Sequence, residues 1–267
     1  MSLRVRILGC GSSGGVPRIG GDWGVCDPDE PRNQRRRCSI LLEKTGANGK
    51  TTVLIDTSPD LRMQLLDAGV TRLDAVAYTH DHADQTHGID DLRALYLRNG
   101  EMMDAYMDSV TRKQLFTRFA YCFEKIEKSD YRPILRAHEI RVDEKWNIEG
   151  GGGTIALQAF DQIHGKIHSL GFRCGPVAYS SDVNMLPEES FRALEGIDTW
   201  IVDALRHTPH PTHANVETAL EWIGRVQPRR GILTNLHVDL DYAALARSLP
   251  KGVEPAYDGM ELVFEGN

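Results

Sequence analysis

The chain has 267 residues, 41% of them hydrophobic and 26% charged, with a formal net charge of -7. That is the make-up of a globular protein with one large core or two small ones, and no apolar run approaches the roughly 18–20 residues of a membrane helix. The acidic balance argues against non-specific grip on long nucleic acid, which needs many cationic contacts to phosphates.

A short alternating strand over residues 3–8 runs into a glycine-rich loop, 9–21. Residues 39–43 and 51–56 form a strand pair joined through Gly46-Ala47-Asn48-Gly49, a hairpin turn. Pro59 opens a helix that Gly69 ends, and residues 73–78 form a compact apolar strand that stops at Thr79-His80. Ile89, Leu92, Leu95 and Tyr96 recur at helical spacing. The middle, residues 101–143, is mixed and contains a helical stretch; it reads as a cover for one edge of the core or as a lid. Four glycines, 150–153, read as a flexible turn before a strand at 154–160. Later apolar strands at Val177–Ser180, 200–202 and 231–233 each end beside polar residues: Asp182, Asp203, and Thr234, Asn235 and His237. Val216–Val226 reads as a helix, with Glu217 early and Arg225 late. Arg32, Arg35, Arg36 and Arg37 are the densest basic cluster, read as a solvated loop. Five widely spaced cysteines (Cys10, Cys26, Cys38, Cys122, Cys174) contain no CxxC, so a reduced compartment without disulfides is expected. The strand-like N-terminus carries no cleavage-site pattern, which makes a cytoplasmic address the default. The alternation of elements indicates an α/β sandwich, taken as a single domain over 1–267.

Chemistry concentrates in one segment. Thr79-His80-Asp81-His82-Ala83-Asp84-Gln85-Thr86-His87 sets three histidines and two aspartates immediately after an apolar strand, which packing alone does not explain. In an extended backbone His80 and His82 fall on one side. Asp84 begins the following helix, whose N-terminus stabilises a carboxylate. Two imidazoles and a carboxylate suit a divalent ion of the zinc or manganese kind. His164, Asp182 and His237 are further donor candidates, because each follows an apolar strand, where an open α/β layer places its ligands.

The composite of Gly9-Cys10-Gly11, Arg37-Cys38-Ser39, Leu54-Ile55-Asp56, the histidine cluster, His164-Gly165-Lys166, Ser181-Asp182, Ile232-Leu233-Thr234 and Tyr257-Asp258-Gly259 resembles the metallo-β-lactamase superfamily, whose signature is HxHxDH. Within it the chain is similar to the branch containing the phosphoribosyl cyclic phosphate phosphodiesterase of phosphonate breakdown. The resemblance implies an αββα sandwich of two mixed sheets flanked by helices. It implies that His80, His82 and His164 hold a first ion, that Asp84 serves a second, and that Asp182 bridges both. Asp56 would steady the ligand loop. The chain departs from the pattern where the last signature histidine is Gln85, and where Asn235 follows Leu-Thr. Residues two apart in a strand face the same way, so His237 is expected to take over that ligand role. The second site should then be weaker, exchanged for an oxygen-loving ion such as manganese or magnesium, or empty. The resemblance also implies that a structural zinc site is absent, since residues 20–26 keep one cysteine.

The expected chemistry is hydrolysis of a small phosphodiester, cyclic ribosyl or nucleotide, by a metal-bound hydroxide with one or two divalent ions. Asp84 helps orient the attacking water, and the resemblance implies that His213, just before a helix, gives a proton to the leaving alkoxide. The turn Gly11-Ser12-Ser13-Gly14-Gly15 offers backbone N–H groups to an anion. Long nucleic acid and membrane are not expected partners, and a homodimer is left open. The alternatives are a nuclease of the tRNA 3'-processing kind, a redox relative in cofactor biosynthesis, and a non-catalytic binding protein of the same fold.

Overall fold

The computed structural model describes residues 2–127 and 130–265. The N-terminal half supplies β1 (Ser2–Gly9), β2 (Ser39–Gly46), β3 (Gly49–Ile55), β4 (Ala75–Ala77), β5 (Met103–Met107) and β6 (Leu135–Glu139). The C-terminal half supplies β7 (Lys145–Ile148), β8 (Ile155–His164), β9 (Ile167–Cys174), β10 (Val177–Ser180), β11 (Thr199–Asp203), β12 (Arg230–Thr234) and β13 (Val253–Pro255), and β14 (Glu261–Glu265) returns to pair with β1. Two seven-stranded sheets result, in the orders β14-β1-β2-β3-β4-β5-β6 and β13-β12-β11-β10-β9-β8-β7. Each is mixed. The antiparallel part runs from β14 through β1 and β2 to β3 in one sheet and from β7 to β10 in the other, and the parallel part runs from β3 to β6 and from β10 to β13.

Side-chain alternation decides what lies between the sheets. Ile40, Leu42, Val53 and Ile55 meet Leu157, Phe172, Tyr179, Ile201 and Ile232 in one buried cluster. The opposite faces of the strands turn outward: Leu41, Leu54 and Val76 pack with α1 (Leu61–Asp67), α3 (Arg93–Asn99) and α4 (Ser109–Phe123). Trp200, Val202 and Leu233 pack with α5 (Glu188–Ala193), α6 (Val216–Val226) and α7 (Tyr242–Ser248). The four-residue α2 (Ala83–Thr86) belongs to the site described below. Helix–sheet–sheet–helix layering follows, as the sequence pattern and the resemblance imply. In α6 the buried Val216, Ala219 and Ile223 fall on one helical stripe, and Asn215 caps it by accepting from Thr218 N–H at 2.8 Å.

Several elements differ from expectation in instructive ways. The mixed middle is no separate lid but part of the sandwich: β5 and β6 extend the first sheet to its edge and α4 covers its outer face, residues 128 and 129 lying outside the description. The glycine run is a packing device. A Cβ on Gly152 would stand 1.9 Å from the Lys44 carbonyl, so glycine there lets one sheet's loop lie on the other's hairpin. The arginine cluster is anchored. Arg36 pairs with Asp67 at 2.7 Å and Arg37 with Asp60 at 3.0 Å, while the buried Arg35 donates to Asn33 Oδ1 and the Leu240 carbonyl. All five cysteines are free and buried. Among the described residues no helix is long and apolar enough to cross a membrane.

Candidate metal centre and active site

The ends of the parallel strands converge along one edge of the sandwich. β4 delivers Thr79 and His80, β10 delivers Asp182, β11 ends in Asp203, and β12 ends just before Asn235. His164 closes β8, where Gly165-Lys166 makes a two-residue turn into β9 with Gly165 at φ +65°.

His80, His82 and His164 form a trio with ring centroids 4.5–5.2 Å apart. The ring orientation of two of them is set from behind. Thr79 N–H donates to Asp56 Oδ1 at 2.8 Å and the Thr79 hydroxyl donates to Asp56 Oδ2 at 2.9 Å. With its proton so committed, that hydroxyl accepts from His80 Nδ1–H at 3.0 Å. The tautomer leaves His80 Nε2 with a lone pair, buried and without a hydrogen-bond partner. His164 is oriented alike, its Nδ1–H donating to the Thr212 carbonyl at 2.6 Å. Burial, reinforced by the neighbouring imidazoles, pushes His80 well below its ordinary value. Burial and then His213 bring His164 down to about 4, against the Thr212 carbonyl. Neutral imidazoles with fixed Nδ1 and converging lone pairs are a donor set for a borderline divalent ion. Asp182 Oδ2, also without a hydrogen-bond partner, lies 3.6 Å from His80 Nε2.

A second cluster of opposite character adjoins it. Asp182, Asp203 and His213 bring their polar atoms within 4.8 Å of one another. Asp203 Oδ2 accepts from His213 Nδ1–H at 2.8 Å and from Val183 N–H at 3.0 Å. Burial works against a charged His213, but Asp203, Asp182 and Asp84 outweigh it and raise the imidazole to about 9. Burial raises Asp182 to about 8, with His213 opposing. Asn235, 2% exposed, sets its amide nitrogen among these groups, donating to Asp182 Oδ1 at 2.8 Å and Asp203 Oδ1 at 3.1 Å. Gln85, 1% exposed, donates from Nε2 to Asp84 Oδ2 at 3.4 Å, and its Oε1 has no partner.

The structure thus brings His80, His82, His164, Asp84, Asp182 and His213 to one cleft, of about 660 Å³, with Ser13 and Lys166 on its walls. It does not bring His237. The expectation that His237 faces as Asn235 does assumed a continuing strand, but β12 stops at Thr234 and Asn235 turns left-handed at φ 61°. The ring of His237 instead lies between the Arg18 guanidinium and Asp239, 3.0 Å from Asp239 Oδ2. His87 packs edge-on to Phe119, away from the trio. In the glycine turn Ser13 reaches the cleft, while Gly14 supports the Arg18 side chain, whose Cγ would stand 3.3 Å from an added Cβ. The sequence marked Asp203 as a strand-end carboxylate but not its pairing with His213, and it gave no sign of the Thr212 carbonyl behind His164.

Residues 51–235 match the family described as a beta-lactamase superfamily domain. A solved structure described as a new diphosphatase from the PhnP family superposes with a TM-score of 0.88 at 33% identity, covering 99% of this chain and 98% of that one. The metallo-beta-lactamase fold protein YhfI from Bacillus subtilis shares the fold, with a TM-score of 0.74 at 14% identity over 99% of this chain and 100% of that one. An octanoyltransferase of Porphyromonas gingivalis is 30% identical over 266 residues, 98% of this chain. The match takes in 52% of that protein, so this chain spans about half the length of the curated relative it matches.

Proposed function

This chain belongs to the β-lactamase superfamily and, within it, to the PhnP family, and on that premise we propose that it is a metal-dependent phosphodiesterase acting on a small phosphodiester. The observation that carries the reading is the imidazole trio, with His80 and His164 anchored through Nδ1, and the ring of His164 standing 4.7 Å from that of His213, which pairs with Asp203 in the same cleft. His80, His82, His164 and Asp182 would hold the ion, zinc or manganese by their chemistry. When bound, a divalent ion lowers the pKa of water and polarises a phosphoryl oxygen.

The chain's own residues supply the rest. Asp203 fixes the His213 ring through Nδ1–H and keeps it protonated at neutral pH, so Nε2–H is available to the leaving alkoxide. A sugar alkoxide leaves poorly without that proton. Lys166, exposed on the cleft wall, and the small Ser13 opposite give the phosphate a cation and an open approach. Asp84, in the first turn of α2, borders the cleft from the same side as His82.

The test strips the protein with chelator, reloads it with Zn²⁺ or Mn²⁺, and assays cyclic diesters, linear diesters, a diphosphate ester and an octanoyl thioester. The last two are included because relatives are named as a diphosphatase and an octanoyltransferase. Metal-dependent turnover of the phosphodiesters is expected. Turnover of the thioester alone, or equal rates with and without metal, would overturn the reading.

A further inference from the structure

The polar atoms of Asp182, Asp203 and His213 lie close enough to surround a cation, and Asp84 brings another carboxylate to the same cleft. An ion there would need carboxylate lone pairs aimed at a common centre. Most of those carboxylate oxygens are already engaged. Asn235 Nδ2 is 2.8 Å from Asp182 Oδ1, 3.1 Å from Asp203 Oδ1 and 3.3 Å from the Ser181 carbonyl, so the group amid the acids is a hydrogen-bond donor. The other Asp203 oxygen is taken by His213 and the Val183 N–H. On the far side Gln85 Nε2 donates to Asp84 Oδ2. The one carboxylate oxygen of Asp182 left without a hydrogen bond, Oδ2, faces the imidazole trio instead.

We propose that this protein's metal centre is mononuclear: one ion sits with His80, His82, His164 and Asp182, and the side-chain amides of Asn235 and Gln85 occupy the place of a second. The proposal rests on the metal-dependent reading above and narrows it. Backbone contacts hold both amides in position. Leu236 N–H donates to the Cys10 carbonyl at 2.8 Å and Ala204 N–H to the Thr234 carbonyl at 3.0 Å on either side of Asn235, and the Gln85 carbonyl accepts from Thr57 N–H at 2.7 Å. Each amide supplies N–H density where a cation would supply positive charge, which lets neighbouring carboxylates lie together in a buried space. Turned by 180°, the Asn235 amide would set its oxygen against the two carboxylate oxygens, with the His213 Nδ1–H, 3.0 Å away, as a donor to it, and so would give up two acceptors for one donor.

The experiment titrates chelator-stripped protein with Mn²⁺ alone, measures metal per chain after desalting, and records the electron paramagnetic resonance spectrum. One equivalent and the spectrum of an isolated Mn²⁺ are expected. A second equivalent, or a spin-coupled pair, overturns the proposal while leaving the phosphodiesterase reading intact. No retained ion overturns both. The double variant Gln85→His with Asn235→His should gain a second equivalent, and if it stays at one, the amides are not what excludes the ion. Asn235→Asp, of the same size but with oxygen in place of the amide nitrogen, gives the same comparison should the double variant not fold, with uptake expected above one.

Discussion

The two halves of the cleft are made of opposite materials. On one side three imidazoles stand together, and burial with the neighbouring imidazoles pushes two of them, His80 and His164, below their ordinary value. On the other, buried carboxylates crowd round a protonated imidazole and two amide N–H groups, so positive and hydrogen-bonding character is already present among the acids. The first arrangement is incomplete without a cation, because its buried His80 Nε2 and Asp182 Oδ2 have no hydrogen-bond partner. The second is largely complete within the protein. The difference shows how a donor's protonation and partner, rather than its residue type alone, decide whether a cluster invites a metal.

The largest effect expected from breaking this contrast comes from the imidazole side. His80→Ala, like chelation, should drop activity to the background rate and bound metal to a small fraction of that in the unmodified protein, read by metal analysis beside turnover. Retained metal and activity would mean that the trio is not the centre.

The acid side should respond differently. His213→Ala should keep the ion yet slow diesters with alkyl or sugar leaving groups by about 10²–10⁴-fold. An aryl diester whose leaving group needs no proton should be far less affected. Equal slowing of both substrates would assign His213 to binding rather than to proton transfer.

Behind the trio, Thr79→Val removes the hydroxyl that links Asp56 to His80. The His80 ring then loses its orienting partner, and metal affinity should fall by about 10–100-fold with the His213 step unaltered. Competition against a chromophoric chelator measures it; unchanged affinity would show that packing alone orients the ring.

The smallest effect belongs to the scaffold of the acid side. Asn215→Ala deletes the cap of α6, two residues after His213, and should cost about 1 kcal/mol of stability in a urea titration. Turnover should change little, since His213 is held by Asp203 and not by the helix. A large loss of turnover with normal stability would show that the cap positions the imidazole.

Much of the frame was legible because its signals are local. The hairpin at Gly46 to Gly49, the strand Val177–Ser180 and the helix Val216–Val226 fall where the period and the turn residues put them. Gly69, at φ +65°, follows α1 as a helix-ending glycine should. The partner strand β9 went unread because its run, Ile167–Cys174, is broken by polar and glycine residues, and only pairing with β8 completes it. His237 was misplaced for a related reason. A period-two argument holds only while the strand lasts, and a single left-handed residue ended it.

The sequence by itself determined the donor types, the strand ends that carry them and the spacing of His80, His82 and Asp84, because those depend on residue chemistry and on the two periods of regular backbone. Tertiary structure alone decided which lone pairs stay open. Whether His80 and His164 present Nε2, whether His213 pairs with Asp203, and whether Asn235 fills the space among the acids each depend on a partner 10 to 48 residues away on another element: Asp56 through Thr79, the Thr212 carbonyl, or the end of a neighbouring strand. A hydrogen bond of this kind leaves no period or motif in the chain, since either partner is ordinary where it stands and becomes specific only when the strands that carry them, with the loops that follow, lie side by side in their sheet.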